Sequence, residues 1–383
     1  MTQKIIYISF TRLTEKMARD WFIYDYKQRG ISVEYWDVSF LLRGEYLEEN
    51  AIEADYLYSP KSFAAVYARV LLPENIKASY MMLVTVEWRF IKIYELLSKL
   101  GVRMYYVAWG AMPSVISVGP RSLTQRLLRS NDLMASIANK ILIAAYKKIG
   151  WIRPFEVVFA AGYAMANYGW YAKRVVSIHS LDYERCRQSL LSEEKIVMGR
   201  YAVFLDINLP YQSDLALHGM DPIDSSLYFD SLNRFFSLIE KKYDLRVVIA
   251  AHPKSSYSSS EFNGRMITRG NTANLVKNSY FVISHHSTSV GYAVFNFKPI
   301  IFFYTNEIKN MYSNSMMKYL VVLSDALGAS LFNVDLITGD SDLSFKPVNH
   351  VLYKSFVDNY LSNDATSLKT TADIILENIE SEH

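Results

Sequence analysis

Short, nearly all-apolar runs alternate with amphipathic stretches along most of the chain, and this alternation predicts a parallel α/β protein. Residues 4–10 (KIIYISF) read as a buried strand, and 15–30 as one helix closed by a glycine. Strands are expected at 31–36, 79–86, 102–108, 156–160 and 174–178, with helices at 61–71, 90–100 and 123–149. Strands separated by helices imply βαβ units, because a parallel return needs a crossover. The plan repeats after a helical, charged connector at 183–199. Strands are expected at 201–205, 245–251, 265–268, 280–284 and 298–304, the last opened by Pro299. The helices between them fall at 227–242, 272–277 and 290–296. In 227–242 the apolar positions Leu232, Phe235, Phe236 and Ile239 keep the helical period. A terminal helix is expected at 366–379.

The resulting fold class is α/β, with two facing Rossmann-like domains at 1–190 and 200–365 and a C-terminal helix at 366–383. Such halves place a ligand cleft at the carboxyl ends of their strands.

Three clusters at strand ends carry candidate chemistry. The run 245–251 stops at His252-Pro253-Lys254-Ser255, where the proline restrains the histidine to an extended backbone. An imidazole fixed there could donate to a phosphate or protonate a leaving group, although a strand-end histidine capped by a backbone carbonyl has the same sequence. Next, Ser284-His285-His286-Ser287-Thr288-Ser289 links a strand to a helix. One hydroxyl suffices for a cap; six polar residues suggest an anion site at the helix start. Adjacent histidines point in different directions, so no metal is expected from the pair. Lastly, Glu87, Asp206 and Asp182 end apolar runs and are candidate proton acceptors, against the bland reading of turn-forming acids. Glu87-Trp88-Arg89 joins acid, stacking ring and cation. Thr11 and Arg12 follow the first strand and would line the acceptor side.

A His-Pro after one strand, a Ser/Thr-rich loop after a later one and then a Lys-Pro strand resembles the signature order of a bacterial GT-B group. That group comprises sialyltransferases, polysialyltransferases and capsule Kdo transferases; CDP-glycerol glycerophosphotransferases are similar in this respect. The likeness spans roughly residues 201–304. It implies that His252, Ser287, Thr288 and Ser289 contact the nucleotide phosphates, with Asn271 and Thr272 near base and ribose; Lys254, Ser284 and His286, from the same two motifs, are expected in the nucleotide site. A glycosyl transfer also needs a group to take the acceptor proton, and the strand-end positions make Glu87, Asp206 and His252 the expected catalytic residues, with acceptor contacts expected from Thr11, Arg12, Trp88, Arg89 and Asp182. The implied activity is transfer of a sugar onto a bacterial surface glycan. The absence of an acid in 290–297 (VGYAVFNF) favours a CMP-activated nonulosonate such as sialic, pseudaminic or legionaminic acid, or Kdo. Glycerophosphotransfer from CDP-glycerol and a non-catalytic nucleotide-sugar-binding role remain the alternatives.

Bulk properties narrow this further. A net charge of +3 over 383 residues is too small for a nucleic-acid binder, so none is expected as partner. One cysteine, Cys186, allows no internal disulfide and fits a reducing compartment, hence an expected cytoplasmic location. Twenty-nine tyrosines suit a damp cleft, though they pack cores equally well. No apolar run reaches the length of a membrane span. Residues 113–148 carry Arg121, Arg126, Arg129, Lys140, Lys147 and Lys148 against the lone acid Asp132, as a helix lying on an anionic leaflet would. The alternative is a long domain helix solvating its charges. Asp340-Ser341-Asp342 reads as a solvated polar loop. No metal and no cofactor beyond the CMP-sugar substrate is expected; the partners are that nucleotide sugar and a glycan or lipid-linked glycan acceptor.

Overall fold

The computed structural model describes residues 3–44, 51–113, 130–211, 223–258, 260–311, 314–339, 343–364 and 367–380. Most of 113–129, and the Asp340–Asp342 loop, therefore lie outside the described residues.

Seven parallel strands form the first sheet: β1 (Lys4–Ser9), β2 (Ser32–Asp37), β3 (Leu57–Tyr58), β4 (Ser79–Met82), β5 (Arg103–Ala108), β6 (Phe155–Ala161) and β7 (Ala172–Ile178). Their spatial order is β3-β2-β1-β4-β5-β6-β7. The second sheet holds β8 (Tyr201–Leu205), β9 (Arg246–Ala251), β10 (Ile267–Arg269), β11 (Val282–Ser284), β12 (Ile300–Tyr304) and β13 (Ser330–Asn333), in the order β10-β9-β8-β11-β12-β13. Both are doubly wound, and in each the direction of winding reverses beside the first strand. In such sheets the crevice opens at that reversal, outside the carboxyl ends of the strands. In the second sheet it lies between β8 and β11, which pair Val282 with Val203 and Ser284 with Leu205.

The strands are continuous apolar runs because helices cover both faces. All five residues of β8 are buried. One face of this sheet packs on the helix Ser225–Tyr243, which buries Tyr228, Phe229, Leu232, Phe235, Phe236 and Ile239. Asp224 caps that helix by accepting from the amides of Ser226 and Leu227. The other face packs on helices that include Thr272–Asn278 and Val290–Phe295.

Several sequence expectations need correction. The helix expected over 15–30 is two helices, Glu15–Asp20 and Ile23–Gln28, separated where Phe22 takes a left-handed backbone at φ 59°. The connector expected at 183–199 begins as the helix Leu181–Leu190, whose Tyr183 and Cys186 enter the core of the second sheet. Ser180 caps it through the Tyr183 amide. Beyond residue 304 the structure adds β13 and the helices Asn314–Leu327 and His350–Phe356, where only a terminal helix was expected. That terminal helix, Thr371–Glu380, returns to the first sheet: Ala372, Ile375, Leu376 and Ile379 share a core with Ile5, Tyr7, Tyr26 and Tyr35.

The two passages of chain between the sheets are stitched to each other. The Ser180 amide donates to the Leu361 carbonyl at 2.7 Å, and His179 Nδ1 lies 2.7 Å from Ser362 Oγ. The Thr371 amide donates to Glu184 Oε1 at 2.6 Å, and Thr371 Oγ1 to the His179 carbonyl at 3.0 Å. Beside them Gly162, at φ +73°, meets the backbone of Asn359; a Cβ there would fall 2.3 Å from a carbonyl oxygen.

Candidate active site

At the reversal of the second sheet a cavity of roughly 540 Å³ lies between the two sheets' carboxyl ends. From the second sheet it is lined by Asp206, His252, Thr272, His286, Ser287, Thr288, Ser289 and Tyr292. Across from these stand Lys16, Trp109 and Gly110, with Asp182 and Arg185 at the crossing helix.

His252 is held in one tautomer. Its Nδ1 accepts from the Lys254 amide at 3.2 Å, so in the neutral ring the proton sits on Nε2. The turn is closed by the Ser255 amide and hydroxyl, both donating to the His252 carbonyl, at 2.9 and 2.7 Å. Burial, opposed by the nearby Asp206 charge, holds the imidazole below its ordinary pKa. A neutral ring with a fixed Nε2–H is a hydrogen-bond donor near neutral pH.

Asp206 is the brace for this turn. It is 6% exposed, accepting from the His252 amide through Oδ2 at 2.9 Å, and from the Asn208 amide and Tyr257 hydroxyl through Oδ1 at 2.9 and 3.1 Å. Desolvation raises its pKa, and those three donors pull it back. Both oxygens of the carboxylate are thus engaged by donors that hold the turn.

The two adjacent histidines diverge. His285 is buried: its Nδ1 lies 3.1 Å from the Phe303 carbonyl and its Nε2 3.0 Å from the Tyr228 hydroxyl. Burial drops its pKa to about 3, so it is a neutral core residue. His286 turns to the cavity, and desolvation lowers its pKa to about 4. In the loop that follows, Ser287 Oγ accepts from the Ser289 amide at 3.2 Å.

Among the candidate acids, the structure brings Asp182 into the cavity and leaves Glu87 out of its lining. Asp182 stands in the first turn of the helix Leu181–Leu190, its side chain 22% exposed. Desolvation raises its pKa against the opposing pull of a Tyr292 hydrogen bond and the charges of Arg185 and Lys16. Arg185 ties three elements together, donating to Asp20 Oδ1 at 2.6 Å and to the Tyr292 hydroxyl at 3.2 Å. Lys16 pairs with the same Asp20 at 2.7 Å.

The other expected residues lie outside the cavity lining. Ser284 is fully buried at the end of β11, held in the ladder between β8 and β12. Lys254 points to solvent and supplies only its amide to the turn. Asn271 is exposed, with a left-handed φ of 51°, while its neighbour Thr272 reaches the cavity. Glu87 pairs with Arg89 at 3.4 Å, and Trp88 is 57% exposed. Thr11 is 3.0 Å from Ser9 Oγ, and Arg12 bridges to Glu53 and Asp37. Conversely, Lys16, Trp109, Arg185 and Tyr292 escaped sequence reading. Trp109, which directly follows an apolar strand, had the most visible signal. Among the described residues, no group of three or more His, Cys, Asp or Glu side chains could hold a metal.

Two doubly wound sheets facing each other across a cleft at their winding reversals define the GT-B architecture, and this chain has that two-domain α/β fold. The solved structure of CalG4, the calicheamicin glycosyltransferase, aligns over 100% of this chain and 99% of its own, with a TM-score of 0.51 at 10% identity. The wall teichoic acid polymerase TagF aligns over 100% and 90%, at 0.49 and 11% identity. UDP-GlcNAc 2-epimerase of Methanocaldococcus jannaschii aligns over the whole of both chains, at 0.45 and 12% identity. No family model and no curated protein matches the chain.

Proposed function

We propose that the protein is a glycosyltransferase that moves a sugar from a CMP-activated donor onto a bacterial surface glycan. The observation that carries this reading is convergence: the fixed Nε2–H of His252 and the hydroxyl loop Ser287–Ser289 meet at the winding reversal, with the largely buried carboxyl of Asp182 in the same cavity.

In this reading the donor's phosphate lies against His252, Thr288 and Ser289. The acceptor hydroxyl oxygen attacks the anomeric carbon, the bond from that carbon to the phosphate oxygen breaks, and CMP leaves. Asp182 takes the acceptor's proton, for which a raised pKa is an advantage. His252 stabilises the charge that collects on the leaving phosphate. Lys16 and Arg185, both held by Asp20, line this side of the cavity and could donate hydrogen bonds to a nonulosonate carboxylate. The test is incubation with CMP-nonulosonates, CMP-Kdo and CDP-glycerol plus a glycan acceptor. Released CMP with a new glycosidic product is expected, and His252→Ala should lose about 100-fold or more of turnover. A glycerol phosphate product would favour the phosphotransferase reading instead, and absence of CMP binding by calorimetry would sink both.

The acceptor we propose is lipid-linked, reached by docking on the inner leaflet. The described part of the helix Ser130–Lys148 and the turn beyond it expose Ile141, Leu142, Ile149 and Trp151 beside Lys140 and Lys148. Cations next to exposed apolar side chains suit an anionic bilayer surface. Among the described residues no helix is long and apolar enough to cross a membrane. Co-sedimentation with phosphatidylglycerol vesicles, but not with phosphatidylcholine vesicles, is the expected result.

A further inference from the structure

The cavity wall opposite the hydroxyl loop ends in Trp109, the first residue after β5. Its ring packs against Trp21 with centroids 4.6 Å apart and planes 35° from parallel, and meets Phe22 at 6.3 Å and 74°. Two aromatic neighbours thus fix the indole while it still faces the cavity.

The backbone is strained to build this seat. Phe22 holds φ 59° and ψ 20°, a left-handed conformation that a bulky residue rarely adopts. That single residue splits the helix expected over 15–30 and delivers both Trp21 and Phe22 to Trp109. Strain of this kind persists where surrounding packing enforces it, and such positions cluster at ligand sites. On the other side Gly110, at φ +82°, also lines the cavity, and no atom lies within 4 Å of where its Cβ would stand. The backbone next to the indole thus leaves open space at the cavity, which Lys16 and Asp182 also line.

We propose that Trp109 is the stacking platform for a pyranose ring of the acceptor. The electron-rich face of an indole attracts the polarised C–H bonds on one face of a pyranose, and its flat apolar surface is desolvated by the same contact. The sugar's hydroxyls, which lie around its rim, then meet Lys16 and Asp182. This assignment rests on the transferase reading of the cleft and narrows it. The acceptor ends in a pyranoside with an apolar C–H face, which a glycerol phosphate chain does not have.

Saturation-transfer NMR on the full chain tests this, with methyl β-galactopyranoside, methyl β-glucopyranoside and methyl N-acetyl-β-glucosaminide as probes and glycerol 3-phosphate for contrast. Transfer to the ring C–H protons of at least one pyranoside is expected. In Trp109→Ala it should fall about fivefold, and Trp109→Phe should retain roughly half of it. CMP titration by calorimetry, expected to be equal in all three proteins, shows that each variant keeps its fold and nucleotide site. The proposal falls if no pyranoside receives transfer, if Trp109→Ala leaves the signal undiminished, or if glycerol 3-phosphate gives the Trp109-dependent signal. Failure of CMP to bind, with the pyranoside signal intact, would overturn the donor assignment and leave the platform standing.

Discussion

Replacing Asp206 with alanine separates a positioning carboxylate from a catalytic one. The substitution removes the acceptor for three donors: the His252 and Asn208 amides and the Tyr257 hydroxyl. Asn208 is 6% exposed and Tyr257 6%, so water reaches their donors poorly, whereas His252 is half-buried at the cavity and its amide can rehydrate. Two buried donors left unpaired cost about 1–3 kcal/mol each. The raised pKa of Asp206 shows that burying its charge is itself unfavourable, so deleting that charge returns part of the cost. The net expectation is a loss of about 2–4 kcal/mol, a large share of the ~5–15 kcal/mol typical of a folded protein. Urea unfolding, followed by tyrosine fluorescence or circular dichroism, reads it as a lower midpoint. CMP affinity should fall about tenfold with it, because the His252 turn loses its brace. A variant as stable as the parent, binding CMP normally yet inactive, would refute this reading and return Asp206 to the chemistry.

The remaining predictions use the same geometry. Asp182→Asn should lower turnover about 100-fold while leaving CMP affinity unchanged, whereas Glu87→Gln, outside the cavity lining, should stay within about threefold of the parent. His285 has a folded pKa depressed to about 3 from an ordinary 6.5, so the unfolded chain binds the extra proton first as pH falls. Its contribution to stability is complete above pH 6.5 and is lost on acidification toward pH 3, about 2 kcal/mol of it by pH 5. Thermal melts should therefore show His285→Asn to be less acid-sensitive than the parent over that window. Gly162→Ala combines a left-handed backbone with a Cβ 2.3 Å from the Asn359 carbonyl, and should cost about 3 kcal/mol or more in chemical denaturation.

What the sequence revealed followed from local rules. Buried parallel strands announce themselves as apolar runs, so most of the strands were legible. His252 and the hydroxyl loop were legible because each directly follows such a run. The rest depended on contacts between distant residues. Nothing near Asp182 in the sequence tells that it shares a cavity with Ser287, or that Glu87, with the same strand-end signature, does not. The split at Phe22 was hidden because the residues around it keep helical spacing; its left-handed backbone goes with a ring contact to Trp109, more than eighty residues away in the sequence. Ser284 looked like part of the loop, but it closes β11 as a buried residue outside the cavity lining, two residues before His286 reaches the cavity.

The helix Thr371–Glu380 has a consequence for how the chain is made. Four of its apolar residues seal the same core as Ile5 and Tyr7, so β1 is synthesised long before this part of its cover. The second sheet has its strands between Tyr201 and Asn333, and its core takes in Tyr353, Phe356 and Leu361, all of which precede that helix. Until the helix arrives, the core around Tyr7, Tyr26 and Tyr35 lacks one of its walls. That unfinished wall is apolar surface of the kind a holdase chaperone binds, and release from it would depend on the arrival of residues 371–380.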